Sequence, residues 1–203
     1  ETAQTLKQAT RSEDKRIQST AILATGNVVR NMNAEQLGDT SDEVQMLVDG
    51  LAKASTDEER RVWLEALGNT GDARALVAIT PYLTHATVML RAAATGALKF
   101  MQGNVPDMAI VAALSDEEIG VRMAAVHTIA FRPITAVLGA VDTLLRTEPQ
   151  ESLRIEILKG LNVKLNEDAA VADSVEWAAE EDPSAKIRNL AKQILQNYGN
   201  DDP

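Results

Sequence analysis

Apolar residues recur along this chain with the spacing of one helix face. Ile187, Leu190, Ala191, Ile194 and Leu195 stand at i, i+3, i+4, i+7 and i+8, the stripe of an amphipathic α-helix. Val121, Ala124, Ala125, Thr128 and Ile129 repeat it. Each stripe is opened by an arginine and closed by an aliphatic seven positions later: Arg60 with Leu67, Arg91 with Leu98, Arg122 with Ile129, Arg154 with Leu161, Arg188 with Leu195. Successive arginines are 31, 31, 32 and 34 residues apart. Arg16 with Leu23 makes a degenerate sixth copy, set off by an insertion near residues 31–42.

A second helical segment precedes each arginine helix, predicted at 44–54, 73–83, 106–114, 134–145 and 169–179. Pro106, Pro133 and Pro183 suit first helical turns, where the missing N–H is not needed. Asp72 and Ser115 are predicted N-caps. Gly71, Gly103 and Gly199 are predicted helix ends, and Pro81 should kink or stop its helix. No segment alternates with period two, so the chain is predicted to be all-α. Two helices of about 31–34 residues cannot bury their apolar face alone, whereas stacked units can. The expectation is one domain, a right-handed α-solenoid of about five two-helix repeats. Residues 1–42 would form degenerate capping helices, 43–198 the repeats and 199–203 a tail.

Composition narrows the function. The chain has 203 residues, 45% hydrophobic and 25% charged, enough for a sizeable core. Aromatics are only 3%, so Leu, Ile, Val and Ala must build that core. With 20 Lys and Arg against 30 Asp and Glu, the formal net charge is −10. That disfavours phosphate-dominated binding to nucleic acid or anionic membrane. The absence of cysteine removes disulfides, thiolate metal sites and cysteine nucleophiles. No apolar run approaches the roughly 20 residues of a membrane span. The first residue is Glu1, which fits a removed leader or a piece of a longer protein and leaves the compartment open.

These residues resemble the HEAT-repeat family. In that family an Asp commonly stands six positions before the second-helix arginine, and the pair forms a ladder that ties repeats together. Asp116 precedes Arg122, Glu148 precedes Arg154 and Asp182 precedes Arg188 by six; His85 before Arg91 and Ala54 before Arg60 depart. The run from Asp182 to Ala191, DPSAKIRNLA, is similar to the short bacterial HEAT-like form. The segment Trp63 to Gly71, WLEALGNTG, followed by Tyr82-Leu83, resembles the helical domain of vitellogenin-like lipid-transfer proteins. The resemblance implies a solenoid used for scaffolding and protein binding.

Little points to chemistry. His85 and His127 are the only histidines, more than one repeat apart, and no metal, cofactor or catalytic residue is assigned. No Gly-x-Ser-x-Gly elbow or phosphate-binding glycine loop occurs; Gly68 and Gly71 are read as turn residues. Trp63 and Trp177 are read as packing residues. Acids concentrate late, with ten against three Lys and Arg between 148 and 182, compared with five against five between 86 and 147. One, four and five positions after the arginine stand Ala92, Thr95, Gly96; Met123, Val126, His127; and Ile155, Leu158, Lys159. They lie off the packing stripe yet are more apolar than a solvated face, which fits either helices that touch neighbours on two sides or a concave groove for an extended peptide or helix.

The resulting expectation is a non-catalytic interaction module. It would bind a protein segment, basic in character, on a concave or acidic surface through Met123, His127, Ile155 and Lys159. The rivals are a lipid- or lipoprotein-handling module and a HEAT-like enzyme such as a bilin lyase or DNA glycosylase. The glycosylase reading needs a basic, aromatic-lined groove that this composition does not supply.

Overall fold

A computed structural model describes residues 2–200, with side chains from 5 to 199. Among the described residues there are twelve α-helices and no strand: α1 (Thr2–Ala9), α2 (Lys15–Ala34), α3 (Ser41–Lys53), α4 (Asp57–Thr70), α5 (Leu76–Ile79), α6 (Val88–Ala97), α7 (Asn104–Ala113), α8 (Ile119–Ile129), α9 (Leu138–Thr147), α10 (Glu151–Asn162), α11 (Ala169–Glu181) and α12 (Ala185–Asn200). Short 3-10 turns occupy Ala73–Ala75, Thr80–Tyr82, Leu98–Phe100 and Ile134–Ala136. No described helix is long and apolar enough to cross a membrane. The chain divides into two compact units, Glu1–Pro106 and Asp107–Pro203, with the division inside α7.

In the first unit α2 packs on α4 and α4 on α6, with α3 against α4 and α1 against α2. Small residues set the spacing. Gly26 of α2 lies so close to the Ala66 carbonyl oxygen of α4 that a Cβ there would overlap it, and Gly68 of α4 meets Ala97 of α6 in the same way. Gly68 is therefore a contact glycine inside a helix, not a turn residue. Gly71 is the turn residue, with φ 63°, and caps the end of α4. Leu47, Leu64, Leu67, Ile79, Leu90 and Leu98 are fully buried there.

The second unit stacks its arginine helices, α8 on α10 and α10 on α12, and packs α9 against α10 and α11, and α11 against α12. Val121, Ile129, Val141, Leu145, Leu153, Ile157, Leu161, Val175, Ile187 and Ala191 form its core. The predicted stripes of α8 and α12 thus face inward, although Ala124, Leu190 and Leu195 at their margins are only half-buried. The terminal helix behaves differently from the tail prediction: Gly199 and Asn200 continue α12, while 201–203 lie outside the described residues.

Three local expectations change. The segment 73–83 is not one helix but a 3-10 turn, a four-residue α5 and a second 3-10 turn that contains Pro81, because proline removes a backbone donor and crowds the preceding turn. Ser115 does not cap α8; its N–H donates to the Ala112 carbonyl at the end of α7, and Glu118 holds the cap position. Asp72 does act as a cap, accepting from the Arg74 N–H at 2.9 Å.

Candidate functional site

The arginines of the second unit sit in a common cradle. Arg122 Nη1 donates to the Asp116 carbonyl at 2.9 Å and to the Glu117 carbonyl at 3.0 Å. Its Nε and Nη2 grip the Glu148 carboxylate at 2.7 and 3.1 Å. Arg154 repeats this one unit later. Its Nη1 donates to the Glu148 carbonyl at 2.8 Å, and Nε and Nη2 take the Asp182 carboxylate at 2.8 and 3.1 Å. Arg188 Nη1 donates to the Asp182 carbonyl at 2.6 Å.

An arginine therefore meets the residue six positions back through the backbone, and its carboxylate comes from the following repeat. This explains why His85 can stand six before Arg91: the contact there is the His85 carbonyl, 2.9 Å from Arg91 Nη1. The acids also shape the connecting turns. Glu148 accepts the Gln150 N–H at 3.0 Å and Asp182 the Ser184 N–H at 2.8 Å.

The four residues read as binding positions lie on α8 and α10, which pack side by side. Met123 and Ile155 are half-buried, and His127 and Lys159 are exposed. Glu156, which the sequence reading passed over, joins them: its carboxylate is 2.7 Å from Lys159 Nζ and 3.9 Å from His127 Nε2. Two half-buried apolar side chains thus adjoin a three-residue polar cluster. The positions four after each arginine belong elsewhere. Thr95, Val126 and Leu158 are only 1%, 1% and 0% exposed, so they are packing residues and not groove lining.

Half of the late acids are held in ion pairs. Glu148 and Asp182 serve the ladder, Glu151 meets Lys186 at 3.4 Å, Glu156 meets Lys159, and Glu167 meets Lys164 at 2.6 Å. Asp168 caps α11. Asp173, Glu176, Glu180 and Glu181 remain, all exposed on α11 and without an ion pair among the described residues. Asp173, Glu176 and Glu180 stand at i, i+3 and i+7, one outward stripe. Glu180 and Glu181 also fall in the last turn, where the helix dipole disfavours negative charge.

Trp177 lies on α11 beside that stripe with the Arg146 guanidinium 4.6 Å above its ring. Arg146 is held in turn by Asp142 at 2.8 Å, and that hydrogen bond holds the Asp142 carboxyl below its ordinary value.

A groove of about 1,040 Å³ in the first unit was not legible in the sequence. Lys7, Arg11 and Lys15 line it from α1, α2 and the turn between them, Met46 and Gly50 from α3, and Trp63 from α4. Trp63 packs against Gly50, where an added Cβ would stand 2.5 Å from the indole ring. Lys15 crosses to Glu59 at 2.9 Å, so the rim mixes both signs of charge. Elsewhere in this unit Arg30 lies 4.1 Å and Lys99 5.0 Å from the Phe100 ring centroid. Burial, then the Arg30 charge, lower the Lys99 ammonium pKa.

His85 stacks on Tyr82 with centroids 5.7 Å apart and accepts the Thr87 N–H at 3.0 Å. It belongs to the first unit and His127 to the second.

Stacked helical pairs tied by an arginine ladder define a repeat protein of the HEAT and armadillo type. The archaeal HEAT-like repeats protein from Thermococcus onnurineus NA1 is similar, with 13% identity, TM-score 0.52, and coverage of 98% of this chain and 87% of that one. A designed armadillo repeat protein, solved with the peptide (KR)4, matches at 16% identity and TM-score 0.57 over 98% and 99% of the two chains. The CpcE–CpcF complex of phycocyanin lyase from Nostoc sp. PCC7120 matches at 14% identity and TM-score 0.58 over 95% and 75%. No curated protein matches the sequence. The vitellogenin TPR domain model matches residues 1–157, and the chain belongs to that family.

Proposed function

We propose that this chain is a non-catalytic protein-interaction module that takes a basic polypeptide segment on its second unit. The observation that carries the reading is the shared outward surface of α8 and α10. There Met123 and Ile155 offer half-buried apolar contact beside His127, Glu156 and Lys159. Apolar anchors rimmed by charge are the usual make-up of a peptide-binding surface. The exposed carboxylates of α11, a helix packed mainly on α12 and α9, add negative potential at a distance, which accelerates encounter with a basic segment and suppresses acidic ones. A designed repeat protein of similar fold carries the basic peptide (KR)4, which supports the same charge sense here.

Fluorescence anisotropy with a labelled Lys-Arg octapeptide tests this. Saturable binding should weaken as salt rises and should weaken several-fold in Met123→Ala/Ile155→Ala and in Glu176→Lys/Glu180→Lys. Binding that ignores both variants would refute the assignment. Membership of the vitellogenin TPR family favours lipid handling as the second reading. Organic extraction of the purified chain followed by mass spectrometry separates the two, because only that reading expects stoichiometric lipid.

A further inference from the structure

Among the described residues, every Lys and Arg of the second unit has a carboxylate within salt-bridge distance except Arg188 and Lys192. These two stand four apart on α12, on one side of the helix. Arg188 is half-buried and Lys192 is exposed.

Arg188 has the start of the cradle seen at Arg122 and Arg154. Its Nη1 is anchored on the carbonyl six residues back, as theirs are. In both earlier copies the remaining Nε–Nη2 fork is filled by a carboxylate in bidentate fashion. At Arg188 no described carboxylate meets that fork. Lys192 adds a second distinction. It occupies the position of Val126 in α8 and Leu158 in α10, which are 1% and 0% exposed. A helix face meant for apolar stacking carries an aliphatic there, whereas α12 carries an ammonium group, so its complement is anionic.

The two filled forks also describe the ligand. Glu148 and Asp182 are not bare carboxylates; each also accepts the N–H two residues later, at the entrance of a helix. We propose that Arg188 and Lys192 form a receptor for an aspartate or glutamate of a partner polypeptide, presented in such a helix-entrance turn. Arg188 would bind the carboxylate bidentately, and Lys192 would add a second, less directional charge. The inference concerns α12 alone and stands independently of the basic-peptide surface on α8, α10 and α11.

The test uses a capped synthetic peptide with the sequence of residues 178–186, which contains the Asp-Pro-Ser turn that fills the Arg154 fork. Arginine Nε–Hε resonances of the full chain are followed by NMR as the peptide is added. The Arg188 resonance should begin apart from those of Arg122 and Arg154 and move towards them at millimolar peptide, while those two stay fixed. The same peptide with asparagine for its turn aspartate should leave it unmoved, and Lys192→Met should weaken the response several-fold. An Arg188 resonance already at the carboxylate-bound position in the free protein overturns the proposal, since the fork is then filled from within. So does an Arg188 resonance that ignores the acidic peptide or answers both peptides alike.

Discussion

Arg154→Ala should cost this protein a large part of its stability. The Arg154 side chain is 8% exposed and its Asp182 partner 0%, so truncation strands a buried carboxylate. Removing one member of a buried pair costs about 3–5 kcal/mol. The Glu148 and Pro149 carbonyls also lose a donor, adding on the order of 1 kcal/mol. Together these come to about 4–6 kcal/mol, which is severe against a total of about 5–15 kcal/mol. For a chain of this length that corresponds to a Tm drop of roughly 8–24 °C.

Two controls make the reasoning specific. Arg188→Ala strands no described carboxylate and should cost about 1 kcal/mol or less. Arg154→Met with Asp182→Leu removes both charges and should recover most of the single-variant loss. Urea unfolding followed by far-UV circular dichroism, with calorimetry to check the two-state assumption, measures all three. A cost for Arg154→Ala below about 1 kcal/mol, or a double variant as weak as the single one, would refute the ladder as a buried electrostatic tie.

Glycine substitutions should separate by environment. Gly26→Ala and Gly68→Ala drive a methyl into Ala66 and Ala97 and should each destabilise by about 1–3 kcal/mol. Gly96→Ala meets open space inside α6 and should stabilise by about 0.5–1 kcal/mol; thermal melts distinguish them. Gly50→Ala should displace the Trp63 ring and shift its emission, seen cleanly in a Trp177→Phe background, whereas an unchanged spectrum would contradict that contact. The hydrogen bond from Arg74, ahead of other contacts, lowers the Asp72 carboxyl pKa below 3.8. A lowered acid pKa contributes stability that is complete above the unfolded value and is lost as pH falls through the folded one. Asp72→Asn should therefore lower stability near neutrality and flatten the acid limb of a stability–pH profile, and an unaltered limb would contradict the pairing.

The repeat was legible because its signal is periodic. Five arginines at near-constant spacing marked α4, α6, α8, α10 and α12, and the apolar stripe of each stated which face goes inward. Thr95, Val126 and Leu158 are buried because a stacked helix is covered on two sides, one of the two readings that their apolar character left open; pattern alone could not separate them from Met123 and Ile155 on the same helices. The ladder's direction was illegible for a related reason. Spacing within one repeat cannot say that Arg122 reaches Asp116 by its carbonyl and Glu148 by its carboxylate, since both contacts preserve the same period. Gly68 looked like a turn residue because Gly71 is one, and only the approach of Ala97 shows the difference. The groove beside Trp63 and the meeting of His127 with Glu156 join residues far apart in sequence and leave no local signature.

Whether the second unit takes a basic segment is read by hydrogen exchange and mass spectrometry on the full chain, with and without the Lys-Arg octapeptide. Binding at the proposed surface should slow exchange in peptides covering α8, α10 and α11, an effect reversed by high salt. Protection confined to the groove formed by α1 to α4, or none at saturating peptide, would contradict it.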